Sequence, residues 1–202
     1  LSWISSLAWS PDGAWIAFAD KLRGLCLLRV SDASIREVAR GRRGDINHFR
    51  WSPDNRWLVY TDAAPSDLNG IWVYSLDSKE TTLLSSGMSN DFSPVFSRDG
   101  RYLFFLSNRD FNLTFSAHEF RYIYTNATRV FAAALHPDTP PLRPWRSDEE
   151  GASEEKSPPS SDVRVQPTGF ADRVVALPVP AAAYGNLDAG DGAVFYVRIK
   201  DD

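Results

Sequence analysis

The segment LAWSPDGAWIAF, residues 7–18, occurs in two further copies along the chain. The second copy is HFRWSPDNRWLVY at residues 48–60, and the third is PVFSRDGRYLFF at residues 94–105. Each copy joins an aromatic residue, a four-residue turn and a mostly apolar run. Repetition of short strands at intervals of about 40 to 50 residues is typical of β-propellers, in which each repeat forms one blade.

The turn residues explain why each copy should form a hairpin. In Ser-Pro-Asp-Gly, proline presets φ, the aspartate side chain can bond the backbone of the bend, and glycine takes the left-handed position. Asn55 stands at the glycine position of the second copy, and asparagine tolerates positive φ. Arg98 replaces proline in the third copy. We therefore predict a hairpin at each copy, with the preceding aromatic residue packed between neighbouring sheets.

The strands that follow these turns predict blades that are covered on both faces. Their apolar runs are nearly continuous, which indicates burial on two sides, whereas strict alternation would indicate one wet face. A third and a fourth strand follow at 25–30 and 35–39, and again at 70–76 and 81–84. Four strands per repeat is the blade pattern. The sequence thus predicts an all-β fold, a β-propeller of four-stranded antiparallel blades.

The number of repeats predicts an incomplete propeller that occupies residues 1–202. They make about three and a half to four blades, and propellers close with about four to eight. We expect the chain to be a fragment of a longer protein. The predicted blades are residues 1–43, 44–88 and 89–170, with a partial blade at 171–202.

Two stretches interrupt the third predicted blade. Residues 110–128 form an insertion that is rich in aromatic residues, so we expect it to be packed. Residues 137–162 are rich in Pro, Ser and Glu, a composition that cannot bury enough apolar surface to offset ordering. We predict a mobile loop there, with an acidic recognition segment as the alternative.

The irregular stretches also carry a family resemblance. The motifs concerned are Phe115-Ser116, Glu119-Phe120, Tyr122, Tyr124-Thr125, Thr128-Arg129-Val130, Asp138-Thr139-Pro140, Ser147-Asp148-Glu149-Glu150-Gly151 and the run from Asp172 to Ala181. In this order and spacing they resemble the corresponding region of bacterial tricorn-type peptidases, across essentially the whole chain. The Ser-Pro-Asp-Gly turn alone is weak evidence, because TolB-like and other propellers share it.

The resemblance implies a role within a larger enzyme. Tricorn-type peptidases are large cytoplasmic serine proteases in which two propellers precede a PDZ-like module and two catalytic subdomains. By this resemblance the chain is part of the second propeller, which guides or filters peptides, and the parent is a homo-oligomer. The family's catalytic Ser and His belong to downstream regions, and their motifs are absent from this sequence. We therefore expect no catalytic residue in the segment itself.

Composition and cysteine usage exclude several other classes. The net charge is −4, with acidic and basic residues mixed along most of the chain, which argues against a nucleic-acid surface. No apolar stretch approaches the roughly 18 to 20 residues that span a membrane. The one cysteine, Cys26, lies in an apolar run and is expected to be a small core residue. No metal-binding or cofactor motif is present, so we expect neither group.

Candidate substrate-guiding residues lie between the first two blades. Arg40, Arg42 and Arg43 precede a first strand, and connections between blades open onto the ends of the axial channel. We hypothesise that their positive charge attracts the C-terminal carboxylate of a peptide. The alternative is an ordinary solvated connection.

The three histidines do not form a catalytic motif in the sequence. His48, His118 and His136 are far apart in sequence. His48 precedes the Trp51 turn and could face the propeller axis, but we expect it to pack between blades rather than to act as a base. A TolB-like propeller that binds proteins without catalysis is the alternative function. The propeller of a prolyl-oligopeptidase-like enzyme is a third possibility.

Overall fold

In the computed structural model, the chain is described at residues 3–110, 113–116, 121–124, 127–142 and 162–199. At 113–116 and 121–124 the description covers the backbone alone. Within these ranges the regular elements are strands, apart from one short 3-10 helix, Ala171–Arg173. The strands form three four-stranded antiparallel sheets and two two-stranded sheets, and they are not closed into a ring, which confirms the predicted all-β, incomplete propeller.

The first two sheets each follow chain order and together use the first eight strands. Sheet one contains β1 (Ile4–Trp9), β2 (Trp15–Asp20), β3 (Gly24–Arg29) and β4 (Ile35–Arg40). Sheet two contains β5 (Phe49–Trp51), β6 (Trp57–Ala63), β7 (Asn69–Ser75) and β8 (Thr81–Leu83).

In the third sheet, a hairpin is inserted in the chain between two of the strands. A two-stranded sheet follows the third sheet. The remaining strands are β9 (Asp91–Phe96), β10 (Tyr102–Ser107), β11 (Leu113–Ser116), β12 (Arg121–Tyr124), β13 (Arg129–Ala134), β14 (Val174–Ala176), β15 (Ala183–Gly190) and β16 (Ala193–Ile199). The third sheet has the order β14-β13-β10-β9, β11 pairs with β12, and β15 pairs with β16.

The third sheet extends beyond its predicted boundary, and the insertion contains regular structure. The prediction that ended the third blade at residue 170 is wrong by one strand, because β14 pairs with β13 through Phe131 and Ala176. The long connection between β13 and β14 hid this pairing from a strand-by-strand count. The insertion at 110–128 contains the hairpin β11–β12. Its predicted side-chain packing, and most of the predicted mobile loop, lie outside the described residues.

The repeated turns have the predicted chemistry. In the first copy, the Ser10 hydroxyl donates to Asp12 Oδ1 over 2.6 Å, and the Asp12 carboxylate accepts the backbone N–H of Ala14 at 3.0 Å. Gly13, Asn55 and Gly100, at the same position of the three copies, have φ of 72°, 65° and 70°. The left-handed position is thus used in all three turns, which explains why glycine or asparagine stands there.

The sheets pack face to face, and apolar side chains fill each interface. Trp51, at 8% exposure, lies between sheets one and two, where its Nε1 donates to the backbone oxygen of Ala8 at 3.1 Å. Phe96 is buried between sheets two and three. Trp9, at the equivalent position of sheet one, is 56% exposed because no sheet covers its outer side. The predicted packing of these aromatic residues is therefore present wherever a neighbouring sheet exists.

The first strands of the sheets lie side by side. β5 contacts both β1 and β9, and β9 contacts β15. In a propeller the inner strands surround the axial channel. The connections from one sheet to the next, such as residues 41–48 and 84–90, lie at the opposite end from the Ser-Pro-Asp-Gly turns. This end of the sheets holds the candidate site.

Candidate functional site

A polar cleft of about 420 Å³ opens between the connections of sheets two and three. We name it the connection cleft, and its lining includes Arg43, Asp45, His48, Asp62, Asp67, Asn69, Asn90 and Asn108. The residues come from the connection before β5, the β6–β7 turn, the start of β9 and the end of β10. The cleft therefore extends from the inner strands to the outer turns on the connection end of the propeller.

The three arginines predicted from the sequence are not gathered at one point. Arg43 lines the cleft and pairs with Asp67 at 2.6 Å. Arg42 lies over the Trp72 ring, 5.8 Å from its centroid. Arg40 ends β4 and pairs with Glu37 at 2.6 Å. Two of the three guanidinium charges are thus offset by carboxylates, and the third stacks on an aromatic ring.

Acidic side chains outnumber basic ones in the lining of the cleft. The carboxylates belong to Asp45, Asp62 and Asp67, and the Arg43 guanidinium is the strong base facing them. Asp45 is paired with Lys21 at the rim over 3.2 Å. The cleft is therefore less suited to attracting a carboxylate than the run of arginines in the sequence suggested.

Arg50 is a candidate that the sequence-based analysis missed. It lies in the inner strand β5, is exposed, and its Nη1 donates to the backbone oxygen of Phe49 at 3.0 Å. Within the described ranges, no carboxylate lies at ion-pair distance from its guanidinium. The repeat did contain a signal, because the residues before the turn aromatic in the other two copies are Ala8 and Val95. A charged residue at an otherwise apolar inner-strand position departs from the local pattern, and such departures mark functional sites.

A second, smaller cleft of about 40 Å³ lies beside Arg50 on the inner strands. His48, Ser93 and Asn186 also line it, so it joins β5, β9 and β15. Burial, followed by the positive charge of Arg50, lowers the pKa of His48, although part of the ring remains exposed. A lowered pKa keeps the imidazole neutral near pH 7. His48 thus lies beside the inner strands, at the small cleft that Arg50 also lines.

The other reactive side chains do not form a catalytic group with these residues. Burial, aided by Glu37 and Asp20, raises the pKa of the Cys26 thiol, which keeps it protonated and unreactive. His136 pairs with Asp138 at 3.3 Å beside the long connection between β13 and β14. His118 lies outside the described residues. Over the described part of the chain, no three His, Cys, Asp or Glu side chains are grouped as metal ligands.

Among the residues that the structure describes, no helix has both the length and the apolar character needed to cross a bilayer.

The fold and its repeats define this chain as a segment of a β-propeller. The family model of the tricorn protease second β-propeller domain matches residues 1–201. The chain therefore belongs to the tricorn protease second β-propeller domain family, as the sequence motifs predicted. Family membership implies that the parent chain carries further domains.

Individual relatives agree with this assignment. Tricorn protease homolog 1 of Streptomyces coelicolor is 30% identical over 200 residues, which cover 95% of this chain and 19% of that protein. The tricorn protease of Thermoplasma volcanium is 28% identical over 65% of this chain and 13% of its own. The chain thus spans about a fifth, or less, of these curated relatives.

Solved structures show the same fold. The crystal structure of the tricorn protease superimposes with a TM-score of 0.73 at 18% identity, covering 93% of this chain and 18% of that chain. TolB from Acinetobacter baumannii superimposes with a TM-score of 0.50 at 17% identity over 68% of this chain and 31% of its own. At these identities the likeness concerns the fold alone.

Proposed function

We propose that this propeller segment guides or filters peptides towards catalytic domains elsewhere in the parent chain. The observation that carries the proposal is the unpaired guanidinium of Arg50 on the inner strand β5. Arg50 lines the small cleft that joins β5, β9 and β15, and no carboxylate at ion-pair distance within the described residues offsets its charge. The names of the relatives, which are proteases, give the proposal its substrate class.

The proposed mechanism is electrostatic attraction. Arg50 offers guanidinium N–H donors to a peptide carboxylate, and the neutral His48 beside it adds hydrogen bonding without a second charge. The ion-paired Arg40 and Arg43 contribute less to the field at the channel, because their partners cancel much of their charge. The parent is proposed to be a serine-type peptidase. Its cytoplasmic location and its homo-oligomeric state stay predictions.

The Arg50→Ala variant of the full-length gene product tests the guiding role. For a peptide with a free C-terminal carboxylate we expect KM to rise about fivefold with kcat unchanged, because an exposed charge pair contributes up to about 1 kcal/mol. Hydrolysis of the same peptide with a C-terminal amide should change little. Arg98→Ala is the matched control, since Arg98 is an exposed arginine on a turn at the opposite end of the sheets. Equal effects of the two variants on both peptides would remove the proposal.

The double variant Arg42→Ala, Arg43→Ala tests the hypothesis drawn from the sequence. Because Arg43 is paired with Asp67 and Arg42 lies over Trp72, we expect a smaller rise in KM than for Arg50→Ala. Unchanged peptide turnover in this double variant would exclude any guiding role for the two arginines, while leaving the role of Arg50 open to its own test.

A further inference from the structure

The connection cleft keeps one carboxylate that has no cationic partner. Asp45 and Asp67 are neutralised by Lys21 and Arg43, at 3.2 and 2.6 Å. Asp62 has no cation at ion-pair distance among the described residues. Its Oδ1 accepts the backbone N–H groups of Arg42 and Ala63, at 3.1 and 2.8 Å. These two bonds fix the orientation of the carboxylate and leave Oδ2 free for a ligand.

Two oriented carboxamides line the same cleft. Asn90 Oδ1 accepts the backbone N–H of Asn69 at 3.0 Å. A backbone N–H can only donate, so the atom facing it must be the amide oxygen, and the Asn90 amide nitrogen is on the other side. Asn108 Oδ1 accepts the Thr128 hydroxyl at 2.7 Å. The backbone N–H of Asn108 donates to the Asn90 carbonyl at 3.1 Å, which holds the two residues side by side. Both Nδ2 groups therefore remain as donors without a partner in the described part of the chain.

We propose that the connection cleft binds the amino-terminal end of a peptide, with Asp62 taking the ammonium group and the Asn90 and Asn108 amides taking the first carbonyl oxygens. The Asp62 carboxylate is a negatively charged acceptor that suits an ammonium group, and the two neutral amide donors suit the carbonyl oxygens that follow it in a peptide. A carboxylate ligand would instead meet the unpaired Asp62, so the arrangement disfavours the carboxyl end. This inference rests on the proposed peptide-guiding function and names the end of the peptide that is bound at this site.

The size and surroundings of the cleft agree with such a ligand. Its volume of about 420 Å³ falls within the range of about 300 to 1,000 Å³ that is usual for ligand pockets. Asn69, which the Asn90 side chain holds, pairs across the sheet with Ala63, next to Asp62. Asp62 on sheet two and Asn90 on sheet three are therefore connected through Asn69.

The test compares two forms of one short peptide on the full-length gene product by fluorescence anisotropy. One form has a free α-amine and the other is N-acetylated, both with the same C-terminal label. We expect the free-amine form to bind about fivefold more tightly, since acetylation removes the charge that pairs with Asp62. Asp62→Asn keeps the oxygen that accepts from Arg42 and Ala63, and should abolish the difference between the two peptides. Asn90→Asp keeps the acceptor for Asn69 but replaces a donor with a second carboxylate, and should weaken binding of the N-acetylated form.

Asp77→Asn provides the matched control. Asp77 is an exposed carboxylate that pairs with Arg56, and it lies in the β7–β8 turn at the other end of the sheets. This variant should keep the wild-type preference for the free amine. Equal affinity of the wild type for both peptides, or an equal loss for both in Asp62→Asn, would overturn the inference while leaving the guiding role intact. Absence of binding for both peptides would also overturn the inference, whereas the guiding role of Arg50, which concerns a free C-terminal carboxylate, is decided by Arg50→Ala.

Discussion

At the scale of single residues, a buried ionic cluster joins the inner strand of the third sheet to the end of β10. Asp91 is fully buried at the start of β9 and accepts hydrogen bonds from the hydroxyls of Ser89 and Ser107, at 3.1 and 2.5 Å. The Arg109 guanidinium pairs with Asp91 at 3.0 Å and lies over the Phe131 ring, 4.8 Å from its centroid. A carboxylate removed from water is tolerated only when it is paired and hydrogen-bonded in this way.

We predict that Asp91→Ala lowers the local free energy of opening of β9 and β10 by about 2 to 4 kcal/mol, because the partly buried Arg109 loses its counter-ion. Hydrogen exchange of the full-length gene product, analysed for peptides from these two strands, measures the effect. Asp67→Ala breaks the exposed pair with Arg43 and should cost less than about 0.5 kcal/mol. Similar losses in the two variants would show that the buried cluster has no special stabilising role.

At the scale of elements, a strap at residues 162–166 crosses from the third sheet to the second. The backbone N–H of Val163 donates to Asp54 Oδ2 at 2.8 Å, and its carbonyl accepts Trp57 Nε1 at 2.9 Å. The Val163 side chain is 2% exposed and packs against the third repeated turn at Gly100. The strap therefore binds two blades together at the end opposite the connection cleft.

The two equivalent turns at Gly13 and Gly100 allow this contact to be tested. Both glycines have positive φ, so alanine should cost about 1 kcal/mol at either site. A Cβ at Gly13 meets nothing within 4 Å, whereas at Gly100 it would lie 2.5 Å from Val163 Cγ2. We predict that Gly100→Ala destabilises the segment by about 1 to 2 kcal/mol more than Gly13→Ala, because the packed valine has little room to move.

The measurement is the urea concentration at which the segment becomes sensitive to a short protease pulse in the full-length gene product. Val163→Ala, combined with Gly100→Ala, removes the clashing methyl group and should recover part of the extra loss. If the two glycine variants are indistinguishable, the strap does not hold Val163 against the turn.

Some elements of the fold could be predicted from the sequence and others could not. The repeated turns and apolar runs predicted the blades, because each hairpin is encoded by neighbouring residues. The strap could not be predicted, since Arg56 and Asp162, which pair in it, are 106 positions apart and neither has a sequence signature. For the same reason, the partners of Arg42 and Arg43 could not be predicted from the sequence. Glu37, which offsets Arg40, is only three residues away in β4, but Asp67 and Trp72, which offset Arg43 and cover Arg42, are brought in by folding.

At the scale of the whole molecule, the two outermost sheets leave apolar surfaces uncovered. On β1 and just before it, Trp3, Leu7 and Trp9 are 81%, 60% and 56% exposed. On β16, Phe195 and Val197 are 61% and 49% exposed, and among the described strands β16 pairs with β15 alone. In a closed propeller every blade is packed between two others, so these are the surfaces that a closed ring would cover.

We predict that the 202-residue segment, produced alone, associates through these surfaces and elutes as oligomers or aggregates, because exposed apolar patches and unpaired strand edges promote association. Leu7→Ser combined with Phe195→Ser should increase the monomer fraction measured by size-exclusion chromatography with light scattering. Met88→Ser is the matched control, since Met88 is 78% exposed but lies on the connection between sheets two and three. It should leave the distribution unchanged. A clean monomer with a sharp cooperative melt would contradict the prediction and show that the open propeller is stable without further blades.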